Sequence, residues 1–313
     1  MKSKIFSIIL LLTIVVCAHG QQNKPIVLNK SPELQALVDG AANETLAKFA
    51  EKGFKAENLA VTLIDLRDET NLKIASFRGD VMIYPASVVK MFFLAAVHRW
   101  LEDGKLKDTP ELRRAMRDMI VDSSNDATHN IVDVLTDATG GGELLPEKLK
   151  KWAYKRNAVN RYFASLGYTD INVNQKTYCE DLYGRERQFW DNGKVRNKLT
   201  TNATARLLTE IALGRAVTPD RSKQMLELMK RDQFKETSDL DDQNVGYTGM
   251  VLKQKGIKLW SKAGWTSTSR HDAALVEMPE GQRFVLVTFT EKFANERGII
   301  ENIAKIVLQK LKN

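Results

Sequence analysis

Three short runs carry groups able to do acyl chemistry. In Tyr84-Pro85-Ala86-Ser87-Val88-Val89-Lys90, Ser87 and Lys90 stand three apart. If Ser87 opens a helix, the two side chains share one face, one turn apart. The serine oxygen then sits at the positive end of the helix dipole. A buried lysine that loses its proton becomes a base for that serine. A capping serine with an exposed lysine fits the same spacing. In Ser123-Ser124-Asn125 a hydroxyl and an amide stand two apart, in a turn between predicted helices. The hydroxyl can relay a proton while the amide holds a substrate carbonyl. Ser124 or Asn125 can also cap the next helix, and that capping can fix the geometry. Lys262-Ala263-Gly264-Trp265 closes a predicted strand. Gly264 leaves the strand edge open to close approach, so the Trp265 amide can join the Ser87 amide in donating to an oxyanion. Lys262 and Arg270 offer positive charge to an anionic substrate; a solvated strand end is the plainer alternative.

These runs need elements to hold them. Ser31-Pro32 starts a helix reaching about residue 52. Two β-rich runs at 59–66 and 73–77 flank Asp68-Glu69-Thr70-Asn71 and read as a hairpin. Helical periodicity covers 87–103, 110–121, 125–137, 146–166, 201–213 and 219–231. Residues 167–199 have no long period and read as an extended, ordered loop. Strands return at 257–261, 273–278 and 284–290, and a helix fills 295–311. This order lacks the alternation of a doubly wound sheet. It predicts an α+β fold: about five antiparallel strands drawn from both chain ends, terminal helices on one face, and an inserted, mostly helical lobe.

The 313 residues are 43% apolar and 27% charged, a globular composition that excludes disorder, collagen and coiled coil. The net charge of +8 is mild, and no basic cluster is dense enough to favour nucleic acid. Lys2 and Lys4 precede an apolar run from Ile5 to Ala18, with Ala18-His19-Gly20 as a cleavage site before Gln21. That run has signal-peptide length, and a retained N-terminal anchor is the alternative. Cys17 raises a lipoprotein reading, against which Val16 is too large for a lipobox. The expected organisation is a signal peptide at 1–20 and one domain at 21–313. Its sheet lobe spans about 31–85 and 215–313, its helical lobe about 86–214. Cys179, the one cysteine left after cleavage, allows no internal disulfide and reads as structural. His98, His129 and His271 lack metal-ligand spacing.

In order and placement, the three runs resemble the penicillin-recognising serine enzymes. Class A β-lactamases carry Ser-x-x-Lys, Ser-Asp-Asn and Lys-Thr-Gly. Here the runs read Ser87-x-x-Lys90, Ser123-Ser124-Asn125 and Lys262-Ala263-Gly264. Thr200-Thr201-Asn202-Ala203-Thr204-Ala205 is similar to the family's Thr-Thr-Pro helix start, Asn125-Asp126-Ala127-Thr128 to the helix after its Ser-Asp-Asn turn, and Asp272-Ala273-Ala274 to the strand after Lys-Thr-Gly. The resemblance extends from about Leu34 to the end and is nearest the branch of serine hydrolases with unassigned substrates. Ser124 replaces an aspartate, and Ala263 replaces a threonine whose hydroxyl helps hold the substrate carboxylate. The interval from Asn125 to Thr200 is longer than usual. The deacylating Glu, with its Leu-Asn three and four residues on, therefore has a rebuilt counterpart. Glu186 stands at the corresponding distance, with Phe189 and Trp190 following; Glu180 is a second candidate. A salt bridge to Arg185, Arg187 or another basic group is the alternative for Glu186.

The resemblance implies a β-lactamase/penicillin-binding fold and a serine hydrolase working through an acyl-enzyme on Ser87. Lys90, or Glu186 through a water, is the base; Ser123 passes a proton to the leaving group. Asn125, Lys262, Gly264, Trp265 and Arg270 bind substrate. β-Lactams are the first substrate expected, cell-wall peptides or other small acyl compounds the second. A non-catalytic wall- or β-lactam-sensing module is the third reading. The expectation includes no cofactor, no nucleic acid, no membrane insertion of the mature chain, and a periplasmic or secreted monomer.

Overall fold

The first helix begins with a serine cap: the Ser31 hydroxyl accepts from the Leu34 amide, and Pro32 takes the first helical position. Thr109-Pro110 and Thr218-Pro219 repeat the device. The computed structural model describes residues 26–177 and 182–311. The expected signal segment with its cleavage site, Cys17, Cys179 and Glu180 lie outside the described residues.

In chain order, β1 (Asn29–Lys30) and α1 (Pro32–Lys48) lead into the hairpin β2 (Leu59–Asp65) and β3 (Lys73–Phe77). The inserted block follows as α2 (Lys90–Glu102), α3 (Pro110–Ile120), α4 (Asn125–Thr136), α5 (Pro146–Arg156) and α6 (Ala158–Ser165). Next come β4 (Ile171–Asn172), α7 (Gly184–Trp190), β5 (Lys198–Leu199), α8 (Thr201–Ala212) and α9 (Pro219–Met229). The chain re-enters the main sheet through β6 (Lys230–Arg231), β7 (Lys258–Trp265), β8 (Ser269–Glu277) and β9 (Arg283–Glu291), and α10 (Gly298–Leu311) follows.

The main sheet has seven strands among the described residues, ordered β1-β3-β2-β9-β8-β7-β6. The five long strands are antiparallel, as expected. Two-residue strands extend both edges, and β1 runs parallel to β3. Two residues are too few to show an alternation in sequence, so these edges were not anticipated. β2 pairs with β9 from Leu59 opposite Thr290 to Asp65 opposite Phe284, which joins the two chain ends inside the sheet.

Both faces of the sheet are covered. Leu59, Val61 and Leu63 pack with Val38 of α1 and Ile303 and Val307 of α10. Ala60 and Ile64 face the other way, toward a core built on Phe92 of α2 and Leu208 of α8. α2 is buried over most of its circumference, including Lys90 and His98, which makes it the central post of the helical lobe.

Several boundaries differ from expectation: the first helix ends at Lys48, the last starts at Gly298, and 167–199, read as a loop, holds β4, α7 and β5. Residues 146–166 form two helices, because Asn157 bonds back to the Ala153 carbonyl and accepts from Asn160 and Asn174. The helix expected from residue 87 starts at Lys90, after a 3₁₀ turn at Ala86–Val89. β7 runs on to Trp265 and β8 starts at Ser269; buried Lys262, Arg270, His271 and Asp272 interrupt the apolar pattern there. No helix among the described residues is long and apolar enough to cross a membrane.

His98 and His271 are both buried, and burial is the main reason each is held down at about 4. The neighbouring Arg221 adds to the effect on His98. The unfolded chain takes up these protons near the ordinary value of 6.5, the folded chain only near 4. Stability is therefore full above about 6.5 and lost as pH falls toward 4, on the order of 3 kcal/mol per histidine. Urea midpoints measured across that window should decline, and His98→Gln should remove its share of the slope. A flat midpoint in both proteins would refute this account.

Candidate active site

Ser87 lies in the 3₁₀ turn Ala86–Val89 and is half-buried, with Pro85 before the turn and Lys90 opening α2 behind it. Ala86 holds a φ of +46°, a strained setting for a residue with a side chain. The strand end bearing Gly264 packs directly against this turn. A Cβ at Gly264 would lie 2.8 Å from the Pro85 carbonyl oxygen and 2.9 Å from the Ser87 nitrogen. Only glycine permits that approach. Trp265 follows at the rim, 48% exposed.

Lys90 is fully buried. Its Nζ donates to the Ser123 carbonyl (2.5 Å), to Asn125 Oδ1 (2.8 Å) and, at longer range, to Ser123 Oγ (3.3 Å). Ser124 explains how its neighbours reach that ammonium. It caps α4, its Oγ accepting from the Ala127 amide, and Ser123 before it takes a φ of +54°. Capping and site geometry are thus one arrangement.

From the sheet side Lys262 Nζ donates to Ser123 Oγ (3.0 Å), the Ala263 carbonyl (2.8 Å) and Gln243 Oε1 (2.6 Å). Burial first, then the charges of Lys90 and Arg231, push Lys262 well below the ordinary lysine range, against the pull of Asp272. The Ser123 oxygen accepts from two lysines, so its own proton is free to be donated elsewhere. Ser87, Lys90, Ser123, Asn125, Lys262 and Gly264 thus converge where the helical lobe meets β7.

Arg270 and Glu186 are engaged elsewhere. Arg270 is buried; its Nη1 donates to Asp241 Oδ1 (2.6 Å) and its guanidinium lies 4.0 Å from the centre of the Tyr247 ring. Arg297 donates to the same carboxylate. Hydrogen bonds from Arg297 and Arg270 outweigh burial and hold the Asp241 carboxyl at about 2. Glu186, on α7, is also buried, its Oε1 2.6 Å from Arg156 and 3.5 Å from Lys176. Its Oε2 has no hydrogen-bond partner among the described residues.

Two site residues escaped the sequence reading. Gln243 comes from the irregular segment before β7 and carries no motif. His271, on β8 opposite Gly264, bonds through Nε2 to the Tyr84 carbonyl (2.9 Å), while Nδ1 accepts from the Thr290 amide (3.1 Å). That amide fixes the tautomer: Nε2 carries the proton and donates it to Tyr84. The ring therefore ties the strand pair to the segment entering the Ser87 turn. Glutamine can keep the donor to Tyr84, whereas asparagine can keep only the acceptor for Thr290. His271→Gln should retain acylation of Ser87 within a few-fold, and His271→Asn should slow it by about 10²-fold. Equal losses, read by single-turnover kinetics, would remove the positioning role.

The β-lactamase enzyme family model matches residues 41–311. Among solved structures, a β-lactamase from Sphaerobacter thermophilus DSM 20745 is 20% identical with a TM-score of 0.65, covering 88% of this chain and 97% of that one. A β-lactamase from Chitinophaga pinensis DSM 2588 is 19% identical with a TM-score of 0.62, covering 88% and 99%. PBP-A is 18% identical with a TM-score of 0.61, covering 92% and 98%. At these identities the likeness is one of fold. A search of curated proteins finds no match.

Proposed function

The chain belongs to the β-lactamase enzyme family, and from that premise we propose that it is a serine hydrolase acting through an acyl-enzyme on Ser87. The observation that carries this reading is the Lys90–Ser123–Lys262 relay beside the Ser87 turn. Lys90, once neutral, takes the Ser87 proton as Oγ attacks the carbonyl. The Ser87 and Trp265 amides receive the oxyanion, and Gly264 lets the strand come close enough for both. Ser123 then protonates the leaving group and recovers a proton from Lys90, which returns to its neutral form, and Asn125 orients the acyl part.

β-Lactams are the first substrate class under this proposal. A second reading, an esterase or peptidase on small acyl compounds, is favoured by Ala263, which offers a methyl where a carboxylate-binding hydroxyl is expected. Deacylation is the weaker half of the cycle. Glu186 Oε1 is committed to Arg156 and Lys176, and Trp190 stands where an amide was expected to hold the water. Export of the mature chain from Gln21 onward belongs to the same proposal.

Rapid mixing with penicillin G or 4-nitrophenyl acetate, followed by intact mass and peptide mapping, tests the reading. An adduct on the Ser87 peptide should form in a burst and decay slowly. Turnover with no adduct at Ser87, or neither adduct nor turnover with both compounds, would refute it. An adduct that never decays would mark a sensor.

A further inference from the structure

A lysine ammonium has three N–H donors and no acceptor. Lys262 has spent all three, on Ser123 Oγ, on its neighbour's carbonyl and on Gln243 Oε1. The third acceptor is the unusual one. Gln243 Oε1 also accepts from the Ala263 amide at 3.2 Å, so one oxygen takes a side-chain and a backbone donor together. A substrate carboxylate oxygen would need the same two donors. The other end of Gln243 is held as well: its Nε2 donates to the Val121 carbonyl at 3.1 Å and to that of Ile120 at 3.4 Å. The side chain thus bridges the two lobes and cannot turn away without giving up bonds at both ends.

The alternative cation is also committed. Arg270 is buried on Asp241, whose other oxygen is taken by Arg297. Ala263 adds no hydroxyl. An anionic group arriving beside the scissile carbonyl therefore meets an amide oxygen in place of an open donor, and like partial charges repel.

We infer that Gln243 fills the anion slot at Lys262 and makes the site select acyl substrates that carry no negative charge next to the scissile bond. This deepens the acyl-enzyme reading above and rests on it. The substrate class is a neutral ester or amide, with carboxylate-bearing β-lactams acylating the enzyme more slowly.

The test uses two chromogenic esters, 4-nitrophenyl acetate and 3-carboxy-4-nitrophenyl acetate, each corrected for its reactivity with hydroxide. The wild-type kcat/KM ratio should favour the neutral ester by at least about 10-fold. Gln243→Ala opens the slot to the carboxylate, and the ratio should fall about 10-fold. Gln243→Glu, nearly isosteric, gives up the bonds to the Ile120 and Val121 carbonyls but keeps an acceptor for Lys262 and the Ala263 amide and adds a negative charge there, and the ratio should rise. A wild-type preference for the charged ester, or a ratio unmoved in both variants while Ser87 is still acylated, overturns the inference. If neither ester leaves an acetyl group on Ser87, the acyl-enzyme reading itself fails and takes the inference with it.

Discussion

Ser87→Ala will abolish covalent labelling by an acylating probe and lower turnover by on the order of 10³-fold or more. The substitution removes one oxygen from a half-buried turn, so the thermal midpoint should stay close to that of the parent. Lys90→Met should retain the Ser87 hydroxyl but deprive it of its base, and acylation should slow by about 10²–10⁴-fold. Lys90 also donates to the Ser123 carbonyl and to Asn125 Oδ1, so its removal takes one donor from each. Some stability loss is expected in that variant, as it is not in Ser87→Ala. Labelling of Ser87→Ala at the parent rate would require another nucleophile.

The second large effect is expected at Glu186. Arg156 is completely buried and its Nη2 donates to Glu186, to Asp133 and to the Ala138 carbonyl. Removing the Glu186 charge leaves that guanidinium short of its nearest counter-ion, and breaking a buried pair typically costs about 3–5 kcal/mol. Glu186→Gln should therefore lower the thermal midpoint by on the order of 10 °C. Arg156→Met strands the buried Glu186 carboxylate in turn, leaving it Lys176 at 3.5 Å, and should cost a similar amount, whereas the double variant Arg156→Met/Glu186→Gln should be tolerated better. The same variants separate the two roles available to Glu186. A large fall in midpoint with an unchanged acyl-enzyme lifetime makes it an anchor for α7. A midpoint within about 2 °C of the parent with a longer lifetime makes it the deacylating base.

Local signals and long-range contacts differ sharply in how well they could be read. Ser87 and Lys90, or Ser123 and Asn125, sit within a turn of each other, and backbone geometry alone brings them together. The caps at Ser31 and Ser124 were legible for the same reason. The clamp on Lys262 was not. Gln243 reaches it from 19 residues away, through a segment with no period and no motif. The His271 tie to Tyr84 spans 187 residues, and nothing in either stretch points to the other. Arg270 is the instructive case. Its position after the Lys-Ala-Gly run suggests a substrate contact, but Asp241, 29 residues upstream, is the group it bonds. Side-chain pairing depends on which loop folds over which strand, and that is decided by the whole chain. α7 stayed hidden because seven residues span barely two turns.

The pairing of β2 with β9 also sets the order of events in folding. The two strands are neighbours in the sheet but lie about 220 residues apart in sequence. A nascent chain releases the β2–β3 hairpin early, when β9 has yet to be made. A lone hairpin is marginal in water, and its open edge stays unpaired until the last tenth of the chain appears. Contacts of such high separation make folding slow, so the helical lobe is complete before the sheet that carries Lys262 and Gly264 can close. The finished enzyme would thus mature in two stages, the turn bearing Ser87 waiting for the strand against which it packs.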